Sequence, residues 1–375
     1  MRLAAYEDAI YQRDRDGVLT VHRAFPLFMF GLADEVAELT VLGRLDTEPG
    51  RSHYVVGDGA GFAPLPHYAN AAQVGAVLRA LGGTVRQFWR VLGRVDAVWV
   101  NGPSPMAIVL ALLTLLRRRR LVLGVRQDTL AYARSRFPGR RAPLLAFRAM
   151  EAVWRALARV APVTAVGPDL ARRYAGARRR HELSVSFVTD ADLDTPRTAT
   201  GQPPYTVLSV GRLEREKNPL LLADILADLG PEYRLEVVGE GPLERDLRAR
   251  LAELGVAGRA ELLGYVPLDG GLLDRYRAAD VFLHVSWTEG LPQVLLEAFA
   301  ARAPVVATDV GGVGAVAEAA ALLVGPGDAR AAADAVRRVL GDPALRERLV
   351  AAGVARARER TFEAERRRLA AFLTG

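Results

Sequence analysis

The chain has no cysteine, which excludes disulfides and thiolate metal centres and is compatible with a reducing compartment. It is also nearly without lysine: Lys217 stands alone among 50 strong bases, the rest being arginine. No apolar run reaches the roughly 20 residues of a membrane span. The nearest approach, residues 106–116, stops at Arg117-Arg-Arg-Arg120 and reads as a core helix. The opening Met1-Arg-Leu-Ala-Ala-Tyr-Glu-Asp8 lacks the uninterrupted apolar stretch of a secretory signal, so the expected location is cytoplasmic. No internal repeat stands out. No nucleic-acid module is recognisable, and much of the arginine is dispersed, so nucleic acid is not an expected partner.

What is present fits a globular chain larger than one core. With 375 residues, half hydrophobic and a quarter charged, two domains are the default expectation. The net charge of +7 is unevenly placed. Residues 1–200 hold 28 arginines against 18 acids, with the surplus concentrated in 117–200, while residues 201–375 are slightly acidic. A basic first half favours an anionic partner, such as acidic lipid or a lipid-linked diphosphate.

Apolar runs alternate with helical patterns along both halves, the signature of parallel sheets covered by helices. In the first half, strands are expected at 2–5, 40–43, 54–56, 97–100, 121–125 and 163–166. Helices are expected at 25–39, 71–92 (kinked or broken at Gly82-Gly83), 106–116, 143–160 and 169–180, with a turn at 14–17. The helix 143–160 sets an apolar stripe through Phe147, Met150 and Trp154 against arginines; a core-facing stripe and a membrane-surface face both account for it. A Pro- and Thr-rich stretch, 189–204, reads as the linker. Its Asp190-Ala-Asp192 imitates a metal-binding pair, which we discount because it lies in a connector. In the second half, strands are expected near 206–210, 235–239, 260–263, 281–285, 304–308 and 321–324. The domains are therefore placed at 1–190 and 203–360, with a final helix, 361–375, packing back on the first.

Two stretches in the second half carry chemistry. After the strand Val281-Phe-Leu-His-Val285 comes Ser286-Trp-Thr-Glu-Gly-Leu-Pro-Gln-Val-Leu-Leu-Glu297. Gly290 allows a tight turn, Leu291 follows it, and Pro292 suits the first turn of a helix. A loop ending at a helix N-terminus offers unpaired N–H groups to phosphate. Glu289 in the loop and Glu297 in the helix then reach different parts of one phosphate-bearing ligand. Upstream, the strand Thr206-Val-Leu-Ser-Val210 leads into Gly211-Arg212-Leu-Glu-Arg-Glu-Lys217 and a helix over 220–229. A planar guanidinium and a compact ammonium make a reasonable pair for a diphosphate. Gly311-Gly312 would let backbone approach a ligand closely.

Together these segments resemble the C-terminal half of retaining nucleotide-sugar glycosyltransferases of family 4, glycosyl transferases group 1. The matching pieces are Val210-Gly-Arg-Leu with Lys217, Val237-Val-Gly-Glu-Gly-Pro242, Leu263-Gly-Tyr-Val266 and Ala279-Asp-Val-Phe-Leu283. The two glutamates, seven residues between them, and Thr308-Asp-Val-Gly-Gly312 complete the set, in the family's order over 205–325. The resemblance implies an α/β fold of the GT-B type: two Rossmann-like, doubly wound domains facing each other across a cleft. It implies transfer of a sugar, with retention, from a UDP- or GDP-sugar to a glycan, lipid-linked or small-molecule acceptor. Arg212 and Lys217 would neutralise the diphosphate and Glu289 would contact the transferred sugar. Glu297 would hold the ribose, with Gly211, Gly239, Gly264, Tyr265, Val266, Gly290 and Leu291 around the donor. No metal and no cofactor are expected, since the two cations and a helix end already serve the diphosphate.

The first half departs from the family. It lacks the glycine pair after the first strand, and Arg126 and Asp128 stand where members often carry a histidine. They are the acceptor-side candidates; Asp128 as a simple helix cap is the alternative. Contact of the arginine-rich first domain with an anionic membrane surface is a further expectation, placing the protein peripherally on the cytoplasmic face. Two alternatives to a transferase are a same-fold nucleotide-sugar epimerase and a non-catalytic sugar-nucleotide binder. The first would need catalytic acids in the cleft, and His284 is read as buried in its strand. The second would be marked by loss of Arg212, Lys217 or either glutamate, and all four are present.

Overall fold

A computed structural model describes residues 1–22, 25–46, 48, 54–57, 59–69, 74–137 and 140–375. The chain divides into two compact units, residues 1–185 with 365–375, and residues 186–364. Each is a sheet sandwiched by helices.

The first unit holds β1 (Arg2–Arg13), β2 (Leu19–Val21), β3 (Glu38–Leu45), β4 (Tyr54–Val55), β5 (Gly61–Leu65), β6 (Ala97–Gly102), β7 (Arg120–Val125), β8 (Val163–Val166) and β9 (Arg180–Leu183). Strands β3, β1, β6, β7, β8 and β9 run parallel side by side, with β5 parallel on the outside of β3. The first strand is far longer than the expected 2–5. Its register with β3 slips between Tyr6 and Ile10, and its far end pairs antiparallel with β2 across the Asp14 turn. There Asp14 Oδ1 accepts from Val18 N–H at 2.8 Å, and Gly17 takes a positive φ of 80°.

Other expectations for this unit need correction. The run 25–39 is not one helix: Phe25–Phe30 is helical, Gly31–Glu35 is a single 3₁₀ turn, and Glu38 already belongs to β3. Phe25, Phe28, Met29 and Phe30 are apolar because they are buried. The helix Val74–Leu92 is continuous through Gly82-Gly83. Gly83 is there for packing, since a Cβ would stand 2.8 Å from Pro66 Cγ. The expected start of that helix at Ala71 lies outside the described residues. The arginine-rich stretch 169–180 splits into a short helix, Pro168–Arg173, and the edge strand β9. β2, β5 and β9 were not anticipated; all three are short and weakly patterned.

The second unit matches expectation closely. Strands β10 (Tyr205–Val210), β11 (Tyr233–Val238), β12 (Ala260–Gly264), β13 (Val281–His284), β14 (Val305–Thr308) and β15 (Ala321–Val324) form one all-parallel sheet, ordered β12-β11-β10-β13-β14-β15. Val281–His284 is buried throughout, as a central parallel strand must be. One core face gathers Val207, Leu222, Leu235, Val281 and Val336; the other gathers Leu208, Phe282, Leu296 and Phe299.

The stretch 189–204 is more structured than a linker. Thr189 and Asp192 form a reciprocal cap on the helix Asp190–Asp194. Asp192 also pairs with Arg277 at 3.1 Å, so this carboxylate has a structural task. Downstream, Asp280 accepts from Gly201 N–H at 3.1 Å and Thr206 N–H at 2.8 Å, which fixes the entry to β10.

Candidate functional site

In the second unit the strand order reverses between β10 and β13. Connections leave these neighbours toward opposite sides, so a crevice opens beyond their carboxyl ends, the usual place for a ligand in such sheets. Two sequence-marked loops meet there.

The loop after β10 is held by backbone. Gly211 N–H donates to Val238 O and Leu213 N–H to Glu240 O, both at 2.9 Å. Across from it Gly239 has a φ of 135°, and a Cβ there would stand 2.0 Å from Gly211 O. Only glycine allows that approach. The 3₁₀ turn Arg215–Lys217 then ends at Asn218 in the left-handed region, and the helix Leu220–Asp228 follows Pro219. This geometry aims Lys217 at the loop after β13.

There Lys217 Nζ donates to Glu289 Oε1 at 2.6 Å, across 72 residues of sequence. The same oxygen accepts from Ser286 Oγ at 2.7 Å and lies 3.0 Å from His284 Nε2. The Glu289 side chain is 7% exposed and that of Lys217 24%. Burial pushes the Glu289 carboxyl up, but His284 and Lys217 more than offset it and hold it down at about 2. Trp287 N–H donates to Glu216 O at 2.8 Å, tying the loops together by backbone as well. A small solvent-open cleft, about 20 Å³, lies among them, lined by Gly211, Arg212, Lys217, Pro219, His284 and Ser286.

Gly311 and Gly312 serve this loop. A Cβ on Gly311 would meet Glu289 O at 2.0 Å, and one on Gly312 would meet Gly290 O at 1.9 Å. The backbone they approach is therefore that of Glu289 and Gly290. The helix Gln293–Ala300 begins at Pro292 without a side-chain cap, leaving its first N–H groups unclaimed by a side chain. On that helix, Tyr276 Oη donates to Glu297 Oε2 at 2.9 Å, and burial raises the carboxyl above its ordinary range. The second oxygen of Glu297 has no such partner among the described residues. Arg212 is 62% exposed and bonded to Glu214 and Glu216, both at 2.7 Å. Gly264, with φ 69°, gives its carbonyl to Gly239 N–H at 2.8 Å. Tyr265 follows, its N–H donating to Glu240 Oε1 at 3.3 Å, and Val266 packs partly into the core.

The structure thus brings Gly211, Lys217, Glu289 and Gly290 together, with Gly239, Gly264 and Tyr265 on the adjoining strand ends. His284, Ser286, Tyr276 and Glu240 were not anticipated as site residues. His284 had a signal: as the last residue of β13 it sits where a strand's end enters the crevice. The acceptor-side candidates are engaged within the first unit. Arg126 pairs with Glu7 and stacks 4.3 Å over the Phe25 ring. Asp128 caps the helix Thr129–Arg136, accepting from Leu130 and Ala131 N–H, and pairs with Arg173 at 2.7 Å. A separate hollow of about 660 Å³ in this unit is lined by Arg13, Asp16, Phe30, Val55 and Phe62, at the far end of β1.

Comparison with known proteins first defines the fold class. The chain is similar over 99% of its length to a sucrose-phosphate synthase from Thermosynechococcus elongatus, covering 98% of that chain with TM-score 0.69 at 20% identity. It is similar over all of its length, and all of theirs, to Anabaena Alr3699/HepE in complex with UDP and glucose, TM-score 0.67 at 17% identity. The fold is the GT-B type of α/β architecture, two doubly wound parallel-sheet units in one chain. The family signal is confined to the second unit. Residues 191–356 match the model of glycosyl transferases group 1. Among curated proteins, the lipopolysaccharide core biosynthesis glycosyltransferase LpsD of Rhizobium meliloti is 33% identical over 216 residues, 54% of this chain. That match spans 60% of the length of LpsD.

Proposed function

We propose that the protein is a glycosyltransferase that takes a sugar from a nucleotide-diphosphate sugar held by the second unit. The observation that carries this reading is the convergence of Lys217, His284 and Ser286 on one oxygen of the buried Glu289. Holding three polar side chains out of water beside the part-exposed Lys217 at a strand-end crevice is costly for a fold and useful for a ligand site. The HepE neighbour, whose complex holds UDP and glucose, and the group 1 match over residues 191–356 support it.

When the bond between the sugar's anomeric carbon and the terminal phosphate oxygen breaks, charge develops on the leaving diphosphate. Lys217 spends one N–H on Glu289 and keeps two for a phosphate oxygen. Arg212 exchanges its contacts with Glu214 and Glu216 for the diphosphate, and N–H groups at Gly290 and Leu291 complete the cradle. Glu289, ionised at any physiological pH, fixes the ammonium and faces the transferred sugar. Glu297 offers its unused oxygen to the ribose hydroxyls, and Tyr265 flanks the base. The charge is met by side chains and backbone, so the reading includes no metal and no cofactor. Retention of configuration and membership of family 4 belong to the proposal.

The acceptor we propose is a glycan or lipid-linked molecule, in line with the role of LpsD in lipopolysaccharide core biosynthesis and with the basic first unit. That unit would meet an anionic membrane surface from the cytoplasmic side. A nucleotide-sugar epimerase on the same fold is favoured by one observation, the proximity of His284 to Glu289. Product analysis separates the two: a transferase releases nucleoside diphosphate in step with acceptor glycosylation, an epimerase returns an isomeric nucleotide sugar.

The test is a thermal-shift panel of UDP, GDP, ADP and dTDP, with and without magnesium, on wild type and Lys217→Ala. A nucleotide that binds only the native state raises the melting temperature. The expected result is a metal-independent shift with one nucleotide, lost in the variant. No shift with any of the four would overturn the donor-site reading.

A further inference from the structure

At the opposite end of the first unit's sheet, arginines gather with no acidic side chain among them. Arg120 begins β7 and Arg180 begins β9, so this is the amino edge of the strands, remote from their carboxyl ends. A pocket of about 310 Å³ opens there, lined by Leu115, Arg119, Arg120, Val160, Arg178, Arg179 and Gly375, among others. Ion pairs that other arginines of this unit form, such as Arg2–Asp96, Arg44–Asp8, Arg155–Glu151 and Arg368–Glu365, do not include these four. Among the described residues no carboxylate pairs with Arg119, Arg120, Arg178 or Arg179.

Their known contacts use neutral groups. Arg119 Nε donates to Leu92 O at 3.1 Å, and Arg120 donates to Phe372 O at 3.3 Å and Thr374 O at 3.2 Å. Arg179 stacks 5.2 Å from the Phe372 ring. Of the other Arg120 N–H groups, the one on Nε is buried and has no hydrogen-bond partner. Burial, and then the like charges of Arg179 and Arg178, lower the Arg120 guanidinium below its ordinary range. The fold thus holds a buried donor unsatisfied beside three like charges, an arrangement that an anion relieves.

We propose that this pocket binds a phosphate-bearing anion, at a site separate from the nucleotide site of the second unit. Guanidinium forks match phosphate oxygens two at a time, and four of them around one pocket exceed what a surface helix end requires. Two sources present the same chemistry: a soluble phosphate compound and an anionic lipid headgroup. Exposed Leu112, Leu115, Leu116 and Val160 border the arginines and suit the second source, while the pocket itself takes either.

The experiment uses the full chain carrying Lys217→Ala, so that the second unit's diphosphate site is silent. Pyrophosphate binding is measured by calorimetry at low salt, and flotation with phosphatidylglycerol vesicles is compared with flotation with phosphatidylcholine vesicles. Arg178→Glu with Arg179→Glu is expected to weaken binding by about tenfold or more, as loss of charge-assisted contacts predicts. Both side chains are exposed, so the fold should persist, and Arg178→Lys with Arg179→Lys should retain part of the affinity. Pyrophosphate binding alone assigns the site to a soluble anion, and vesicle binding alone to a headgroup; both support the pocket. Binding of neither probe, or equal binding by the Glu variant, overturns it. In the wild-type background the Glu variant should keep its nucleotide-induced thermal shift, so failure here is distinguishable from failure of the donor site.

Discussion

At the carboxyl ends of β10 and β13, loops 72 residues apart bring an ammonium, an imidazole and a hydroxyl onto one buried carboxylate oxygen. At the carboxyl end of β7 in the first unit, Arg126 and Asp128 turn back into the fold, one to Glu7 and Phe25, the other to the helix it starts. The positions are topologically alike, both being loops beyond parallel strands. The chemistry differs in where the charges point. In the second unit they point across the crevice to a partner on another loop, which leaves donors over for a ligand. In the first, Arg126 reaches back to Glu7 of β1, two strands away, and Asp128 to the start of its helix and to Arg173, so the charges are met inside the fold. A strand-end loop is therefore a permissive location, and function is decided by whether its charges leave donors over at the crevice.

The comparison breaks most sharply at Lys217. Lys217→Ala removes the charge that crosses, and initial rates with the donor nucleotide sugar should fall about 10²–10³-fold, the usual effect of losing one donor to a developing anion. Lys217→Arg should not restore them, because a planar fork is a poor substitute for a compact ammonium bound at 2.6 Å. Rates within a factor of about two of wild type would remove Lys217 from the site.

Next comes the pH dependence of Glu289. Its carboxyl is held at about 2 against an ordinary 4.5, so the native state binds its proton more weakly than the unfolded chain. The stabilisation is therefore fully present above about pH 4.5 and is lost as pH falls toward 2. A shift of this size corresponds to about 3 kcal/mol, and the side chain is too buried for water to screen much of it. Glu297 acts with the opposite sign: its raised carboxyl favours the fold at low pH and less so as pH rises. Calorimetric unfolding of wild type and Glu289→Gln from pH 6 down to the acid limit isolates the first effect. The two curves should converge on acidification, whereas a constant gap would mean that the charge of Glu289 is not what the network holds.

How much of this was readable beforehand follows the same divide. The second unit's strands are short apolar runs, and four of its glycines, Gly239, Gly241, Gly311 and Gly312, are dictated by close backbone approaches, so pattern and structure coincide there. Gly239 against Gly211 and Gly312 against Gly290 are examples. The pairing of Lys217 with Glu289 was not legible, since spacing along a chain says nothing about which loops a sheet order brings together. His284 was read as a buried strand residue and is one, yet it also touches Glu289. In the first unit the misreadings have tertiary causes. The run at 25–39 looked helical because it is apolar, but its apolarity reflects burial, and the chain turns at Gly31. Gly82-Gly83 looked like a break because close contact with Pro66 cannot be seen in one segment. Strand β9 was hidden in an arginine-rich stretch that alternation does not mark.

A smaller effect sharpens the first-unit side. Arg126→Ala leaves the buried Glu7 without its guanidinium, and the first unit should lose about 2 kcal/mol of stability, less than a fully buried pair because Arg126 is partly exposed. Nucleotide-induced thermal shifts should be unchanged in size. A selective loss of acceptor turnover at normal stability would instead make Arg126 a binding residue and erase the contrast.

The smallest effect falls on Asp128, and its two partners can be told apart. As an N-cap it accepts Leu130 N–H at 3.1 Å and Ala131 N–H at 3.0 Å, and as an ion it meets Arg173 at 2.7 Å on the surface. Removing a cap costs about 1 kcal/mol, while an exposed pair contributes well under that. Asp128→Ala should therefore lower stability by about 1 kcal/mol, and Asp128→Asn, which still caps, should recover most of it. If Asp128→Asn is as damaging as Asp128→Ala to stability, the charge and not the cap is what the fold uses. If both variants keep full stability and lose acceptor turnover, Asp128 reaches out to a ligand after all, and the first unit's loop resembles the second's more than its resting contacts indicate.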